Sequence, residues 1–505
     1  MKLTVLLLAA LLSLVAHGAE RPNIVIILAD DLGYGDVQCN FPAGKIRTPN
    51  IDRFAVEGMR FTDAHTTSSV CTPTRYSLMT GRYNWRSRLQ RGVLGGLSPR
   101  LIEPGRATIA SLLKEQGYHT ACIGKWHLGM DWVKHAGKEV AALNIEKPGQ
   151  NWNVDYSKPI ANGPNVVGFD YYYGISASLD MVPFTFIEND RVTKVPKVEK
   201  QWVRKGPAAE DFEAVDVLPT LVRKAGEFVK QHAEDAKAGR PFFLYLPLAS
   251  PHTPIVPTKE WDGKSGISAY ADFVMQTDSA VGEVLASLEN AGVANDTLVV
   301  FTSDNGCSPA AGIDVLQKAG HEPNGPLRGT KADLWEGGHR VPFIVRWPGK
   351  IAAGSVSDQL VSLMDWMATC AEIVGAKLPA RAGEDSVSLL PLLLGNAQGP
   401  VREALVHHSI SGRFAIREGK WKLCLSPGSG GWSAPRDPQA AKQGLPAEQL
   451  YDMTLDLAET MNLVAEKPEI VARMTERLER IVAGQSQENA VPVIIRKPID
   501  GTEKQ

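Results

Sequence analysis

Three apolar runs in this sequence each stop abruptly at a polar cluster. Asn23 to Ala29 runs into Asp30-Asp31, Phe242 to Leu248 into Ser250-Pro251-His252, and Leu298 to Phe301 into Asp304-Asn305-Gly306. Asp30, Asp31, Asp304 and Asn305 offer only oxygen ligands, the donor set of a hard cation such as Ca2+. An isolated Asp-Asp pair serves equally well as a turn or a helix cap. Two such clusters, each ending an apolar run, favour the metal. A further candidate is the segment from Val70 to Gly81, which contains Cys71, Pro73 and Arg75. Pro73 suits the first turn of a helix and Gly81 its C-terminal stop. Cys71 then sits at a helix N-terminus, where free N–H groups and the dipole favour an anion. Arg75 follows one turn later and can share the site. A reactive sulfur, or a derivative of it, beside a guanidinium is an arrangement for anion chemistry. The dipole alone does not separate this from a buried structural cysteine with a capping threonine.

Such groups need a frame. Continuous apolar runs of this length fit strands buried on both faces of a sheet. Between them lie helical stripes: Val217, Leu218, Leu221, Val222, Ala225, Phe228 and Val229, then Phe273, Val274, Thr277, Val281, Val284, Leu285 and Leu288. Strands alternating with helices predict an α/β fold, a large and mainly parallel sheet sandwiched by helices. Ligands in such sheets sit beyond the carboxyl ends of the strands, the edge on which all three polar clusters fall. Residues 131–168, rich in Asn, Pro, Gly and Lys, read as a surface excursion. Beyond about residue 385 the runs Leu405–His408, Arg413–Arg417 and Lys420–Leu425 are short, with Glu418-Gly419 as a hairpin turn. Pro468 to Ala483 reads as a helix, with Pro in its first turn and Gly484 past its end. The expected organisation is a catalytic domain at 20–384, a smaller α+β domain with an antiparallel sheet at 385–484, and an irregular tail at 485–505.

Met1-Lys2, the apolar run Leu3 to Ala16 and the small residues up to Ala19 read as a secretory signal peptide, residues 1–19. The run is shorter than the roughly 20 residues that span a bilayer. The expectation is an exported protein, periplasmic or secreted, without a membrane anchor. A net charge of −2, from 54 Lys+Arg against 56 Asp+Glu, gives no global attraction to nucleic acid. Six cysteines in 505 residues are too few for a disulfide scaffold.

The full string Cys71-Thr72-Pro73-Thr74-Arg75, followed by Leu78-Met79-Thr80-Gly81, resembles the signature of the type I sulfatases, a family in the alkaline phosphatase superfamily. Arg21-Pro22-Asn23 through Asp36 looks like that family's N-terminal metal strand, and Thr48-Pro49-Asn50-Ile51-Asp52 also fits. Gly117-Tyr118-His119-Thr120 leading to Gly124-Lys125-Trp126-His127-Leu128-Gly129 looks like its second signature. Ser250-Pro251-His252, Ser303-Asp304-Asn305-Gly306 and Gly329-Thr330-Lys331 match further elements. Leu450-Tyr451-Asp452 with Glu459 and Asn462-Leu463 is similar to its C-terminal motif, with Leu457 where Pro is usual. The agreement runs in order from about residue 20 to 484.

The resemblance implies an alkaline-phosphatase-like fold and a sulfuric ester hydrolase. It implies that a maturation enzyme converts Cys71 to formylglycine, and that Ca2+ is held by Asp30, Asp31, position 71, Asp304 and Asn305. The hydrated aldehyde would present one hydroxyl to the metal and to sulfur, with Asp304 accepting its proton and Arg75 holding the second hydroxyl. Lys125 and Lys331 would bind sulfate oxygens, Lys331 or His252 would protonate the leaving alcohol, and His127 would take the proton that releases sulfate. Ser178, with Ser176 as the alternative, corresponds to a sulfate-contacting position, and His339 is expected to face substrate beside a structural Arg340. A sulfated carbohydrate is the expected substrate. Trp85, Arg86, Arg88, Trp132 and Tyr171 to Tyr173 suit sugar contacts or plain loop packing, and Ile187 to Arg191 suggests a galactose-type sugar. Small aryl sulfates, or phosphate and phosphonate monoesters, are the alternatives on the same scaffold. An unmodified, non-catalytic sulfate-ester binding protein is the alternative of a different class. With Cys71 converted, the remaining cysteines are odd in number, so at least one stays unpaired.

Overall fold

The computed structural model describes residues 21–484 and 493–496. The expected signal peptide and most of the expected tail lie outside the described residues.

The elements that matter for the site are, in chain order, β1 (Asn23–Ala29), α1 (Cys71–Thr80), β2 (His119–Lys125), β3 (Tyr171–Ile175), α2 (Val217–Lys237), β4 (Phe242–Pro247), α3 (Ala269–Asn290), β5 (Thr297–Ser303) and β6 (Phe343–Arg346). A second group follows: β7 (Ala404–His408), β8 (Phe414–Glu418), β9 (Trp421–Cys424), β10 (Gln449–Asp452) and α4 (Pro468–Ala483).

A ten-stranded sheet carries β5-β1-β4-β2-β3 at its centre, all parallel. On one side follow the antiparallel β6, then Met59–Phe61 antiparallel to β6, and at the edge Ser355–Ser357 parallel to Met59–Phe61; on the other side the antiparallel hairpin Ile187–Glu188 with Arg191–Val192 closes the sheet. The apolar runs show why the centre is parallel. In β1, Ile24, Ile26 and Leu28 pack into one core layer while Val25, Ile27 and Ala29 pack into the other. A strand apolar on both faces needs helices on both. On one face α2 and α3 supply the stripes expected for them, with Leu221, Phe228, Phe273 and Val281 all buried. On the other, Tyr76, Leu78 and Met79 of α1 pack beside Ile109, Leu113 and Trp366.

β7 to β10 form a separate antiparallel four-stranded sheet. Glu418 pairs with Trp421 across the Gly419-Lys420 turn, and Gly419 takes a positive φ of 53° there. Met474 and Leu478 of α4 bury against Ile416, Leu423 and Leu450. Asn462 of the C-terminal motif accepts a hydrogen bond from Leu450 N at 2.9 Å, so that motif pins the last strand. All six cysteines are free thiols, and all but Cys39 are buried. Among the described residues no helix is long and apolar enough to cross a membrane.

Candidate active site

The carboxyl ends of the parallel strands deliver charge to one place. Asp30 and Asp31 follow β1, Asp304 and Asn305 follow β5, Lys125 ends β2, and His252 lies just past β4. Asp31 turns the chain with a φ of 66°, and its N–H donates to Asp304 Oδ1 at 3.2 Å. The register of β1 against β5, with Ala29 opposite Ser303, brings the two acidic clusters side by side. On β2 the site demands a glycine before the lysine. Gly124 has a φ of 144°, and a Cβ there would lie 1.9 Å from Pro247 O on β4.

Cys71 opens α1, as its Pro73 and Gly81 signals predict, and Gly81 closes the helix in the left-handed conformation. The thiol is buried. Burial raises its pKa, while Lys125 and Lys331 pull it down and Asp304 and Asp30 push it up. Arg75, fully buried one turn on, donates from Nε and Nη2 to Asp304 Oδ2 at 3.0 and 2.8 Å, and from Nη1 to Lys125 O at 2.9 Å. Lys125 Nζ donates to Asp30 Oδ2 at 2.6 Å. Lys331 Nζ lies 2.6 Å from Asp31 Oδ1 and 2.8 Å from Asp31 Oδ2.

Three buried carboxylates thus face three buried cations. Burial pushes the Asp30 carboxyl up, but Lys125, His252 and Arg75 outweigh it and hold it far below the usual carboxylate range. Asp304 is pushed up to about 6, by burial first and then by the neighbouring Asp30. Burial lowers the Lys331 ammonium, and Asp31 more than reverses that.

The donors fit a hard cation. Asp30 Oδ1 and Asn305 Oδ1 are buried without a hydrogen-bond partner among the described residues, although most buried polar atoms have one. Asn305 Nδ2 donates to Asp31 Oδ1 at 2.7 Å and to Gly306 O at 3.0 Å, which turns its carbonyl oxygen away from those groups. An all-oxygen set with two orphaned acceptors fits Ca2+.

The histidines divide. His252 donates from Nδ1 to Thr253 O at 2.6 Å, and its Nε2 lies 3.6 Å from Asp31 Oδ2. His127 takes a φ of 56° and bonds Leu94 O from Nε2 at 2.8 Å. A carbonyl only accepts, so the proton sits on Nε2 and the buried Nδ1 keeps a lone pair with no partner among the described residues. Burial, reinforced by Lys125, holds the His127 pKa well below the ordinary histidine value.

His339 is not in this group. It is buried against β7 and β9, with its Nδ1 3.0 Å from His65 Nδ1, its Nε2 near Leu334 O and Lys422 Nζ at 2.9 and 3.1 Å, and its ring stacked on His407 at 3.8 Å. These ring contacts are all with protein groups along the seam. The short helix Glu336–His339 turns its side chain into the seam with the antiparallel sheet. Arg340 is structural, reaching Asp63 and Glu336 at 3.2 Å each. Ser176 and Ser178 are both buried with unpartnered Oγ atoms among the described residues.

The aromatic residues expected near substrate mostly pack. Trp85 is buried and stacks on Tyr83, Arg86 lies over Trp85, and Tyr172 is buried with its hydroxyl on Ile175 O. Ile187 to Arg191 forms the hairpin at the outer sheet edge, several strands from β1. Two features escaped sequence reasoning. Lys422 is a fully buried cation between Glu336 and Glu459 at 2.9 and 2.8 Å, and no local signal in the sequence marks it. Asp180 and Arg204 meet beside His252, and Arg204 belongs to no motif.

Comparison with known proteins gives the family of the chain. A family model described as Sulfatase matches residues 22–376, and one described as N-sulphoglucosamine sulphohydrolase, C-terminal, matches residues 330–425. The chain is 32% identical to the N-acetylgalactosamine-6-O-sulfatase of Bacteroides thetaiotaomicron, with 92% of this chain and 94% of that protein covered. It is 33% identical to arylsulfatase A of Homo sapiens, with 88% and 84% covered. A solved structure from work on the metabolism of multiple glycosaminoglycans by Bacteroides thetaiotaomicron superposes with a TM-score of 0.78 at 32% identity, over 92% of this chain and 99% of that one.

Proposed function

The chain belongs to the sulfatase family, whose members hydrolyse sulfate esters, and from that premise we propose that it removes sulfate from a sulfated saccharide. The N-acetylgalactosamine-6-O-sulfatase it is similar to makes a 6-sulfated N-acetylgalactosamine the first candidate. The observation that carries the reading is the placement of buried Cys71 at the start of α1, one turn before an Arg75 that is bonded to Asp304 and to the Lys125 carbonyl.

In this reading a maturing enzyme oxidises Cys71 to formylglycine, whose hydrate supplies the nucleophilic oxygen. Asp30, Asp31, Asp304, Asn305 and position 71 would hold Ca2+, which would supply electrostatic polarisation of the sulfate and of that oxygen. The protein's own groups do the rest. Arg75, Lys125 and Lys331 balance the three carboxylates, so a divalent cation leaves net positive charge for the incoming anion. Asp304, its Oδ2 fixed by two N–H bonds from Arg75, serves as proton acceptor during attack. Lys125 and Lys331 bind the outer sulfate oxygens, with Ser178 or Ser176 beside them. Lys331 or His252 protonates the leaving alcohol. Because His252 commits Nδ1–H to Thr253 O, it delivers a proton from Nε2 only as imidazolium. His127, with Nδ1 free and uncharged, takes the proton whose removal releases sulfate.

Small aryl sulfates are a second reading, favoured by the similarity to arylsulfatase A. The proposed setting is extracytoplasmic, with residues 1–19 as the signal peptide. A mass spectrum of the peptide containing residue 71, after co-expression with a maturing enzyme, tests the modification. An aldehyde is expected, and an intact thiol in an active preparation would overturn it. Cys71→Ala should fold normally and lose turnover by orders of magnitude.

A further inference from the structure

From the metal-facing carboxylates, polar groups continue outward in one line. His252 Nε2 lies 3.6 Å from Asp31 Oδ2, and His252 Nδ1 lies 3.9 Å from Asp180 Oδ1. Asp180 is in turn ion-paired with Arg204 through its other oxygen. Side-chain exposure is 3% at Asp31 and 8% at His252, 6% at Asp180 and 38% at Arg204, so the line ends at the surface. Asp180 Oδ1 is buried and has no hydrogen-bond partner among the described residues. An unpaired carboxylate oxygen in the interior is costly unless something completes it. Its neighbours share the feature. Ser176 and Ser178 Oγ on the same segment, and Asn151 Oδ1, are also buried without partners among the described residues. Asn151 Nδ2 donates to Lys205 O at 3.0 Å, which places it beside the turn that carries Arg204.

The hairpin holding Arg204, Val198–Gln201 with Lys205–Ala208, is fixed rather than loosely appended. Phe184 bridges Ala208, and Gly206 sits so close to Val182 that a Cβ would lie 2.4 Å from its Cγ1. Arg204 is therefore presented to Asp180 by packed backbone.

A sulfate ester whose leaving oxygen meets Lys331 and His252 must lay its alcohol portion past His252, against this pair. An aryl ring offers no hydroxyl there and would leave Asp180 Oδ1 buried and unpaired. A sugar ring offers adjacent hydroxyls that donate to a carboxylate and accept from a guanidinium. We propose that Asp180 and Arg204 form the subsite that reads the hydroxyls of the sulfated sugar ring, Asp180 Oδ1 accepting from one and Arg204 donating to its neighbour. This deepens, and rests on, the saccharide sulfatase reading above.

The test compares wild type, Asp180→Asn and Arg204→Gln on two substrates: 4-nitrophenyl sulfate, and the best substrate from a panel of sulfated mono- and disaccharides. The quantity read is the ratio of kcat/KM for saccharide over aryl sulfate. Loss of a hydrogen bond to a charged group predicts a fall in that ratio of roughly 10- to 100-fold in each variant. A ratio within threefold of wild type in Arg204→Gln, a half-exposed position that leaves the core intact, would overturn the subsite. Equal losses on both substrates would also overturn it, because Asp180 would then act only by steadying His252. A wild-type enzyme that cleaves aryl sulfate but no saccharide would sink the saccharide reading and the subsite together. The proposed function would thus fail in wild type, and the subsite alone would fail only in the variants.

Discussion

Replacing Arg75 by lysine keeps a positive charge in the site and removes the planar fork. In the structure Arg75 makes two bonds to Asp304 Oδ2, at 3.0 and 2.8 Å, and one to Lys125 O at 2.9 Å, with Nη2 also 3.7 Å from Asp30 Oδ1. A lysine ammonium is a single point and cannot meet both Asp304 and the Lys125 carbonyl from one position. Two charge-assisted bonds are therefore lost in a site with no exposure to water. At about 1.5–3 kcal/mol each, the sum is about 3–6 kcal/mol. If most of it appears at the transition state, kcat/KM falls by roughly 100- to 10,000-fold. The part that appears in the folded protein lowers the thermal midpoint by a few degrees. The assay is saturation kinetics on a sulfate ester beside a melting curve, both with Ca2+ in excess. Arg75→Met, which removes the charge as well, should lose more on both readouts, because Asp304 and Asp30 lose a neutralising partner. Arg75→Lys with kcat/KM within about fivefold of wild type would refute the reasoning. It would show that Asp304 needs only a nearby charge and not a held geometry.

Other consequences follow from the same contacts. Chelation by EGTA should lower both activity and the thermal midpoint, with Ca2+ restoring them, because Asp30, Asp31 and Asp304 gain a cation among them; Asp31→Asn should raise the Ca2+ concentration needed for half-recovery at least tenfold by titration. Lys422→Met leaves Glu336 and Glu459 buried without their shared ammonium and should cost about 3–5 kcal/mol in denaturant unfolding, with kcat/KM little changed in the folded fraction. That loss should depend on pH. Glu459 is already pushed up to about 7, first by burial, so the folded chain holds a proton there that the unfolded chain releases near its ordinary value; stability falls as pH rises from about 4.5 to 7, more steeply in the Lys422→Met variant, as melting curves across that range will show. Gly124→Ala should fail to give soluble protein, because a Cβ would meet the Pro247 carbonyl at 1.9 Å beside Lys125, and recovery of native yield would contradict the strand geometry described.

Much of the frame was legible in the chain because its signals are local. The runs that become β1, β4 and β5 are apolar on both faces, and only a strand covered on both sides buries them. Pro73 and Gly81 bound α1, and the Glu418-Gly419 turn bounds a hairpin, because each needs a particular backbone conformation at one residue. His339 shows where such reasoning stops. The residue lies next to a glycine pair at the end of a short helix, and nothing local says which way its ring turns. It turns toward Lys422 and His407, which belong to strands more than sixty residues later. Lys422 is hidden for the same reason, since a lysine on an alternating strand reads as exposed until two carboxylates from elsewhere enclose it.

The sequence by itself determined the candidate groups: a cysteine at a helix start, oxygen donors at strand ends, and cations within short motifs. Residue type and short spacing mark the cysteine and the oxygen donors, and the resemblance of the motifs to a known family adds the cations. Only the tertiary structure decided their pairing, with Lys125 on Asp30, Lys331 on Asp31 and Arg75 on Asp304. Only it placed Asp180 and Arg204 beyond His252. Those contacts join residues from about 24 to 300 positions apart, and their distances depend on strand order and register, which no local pattern encodes.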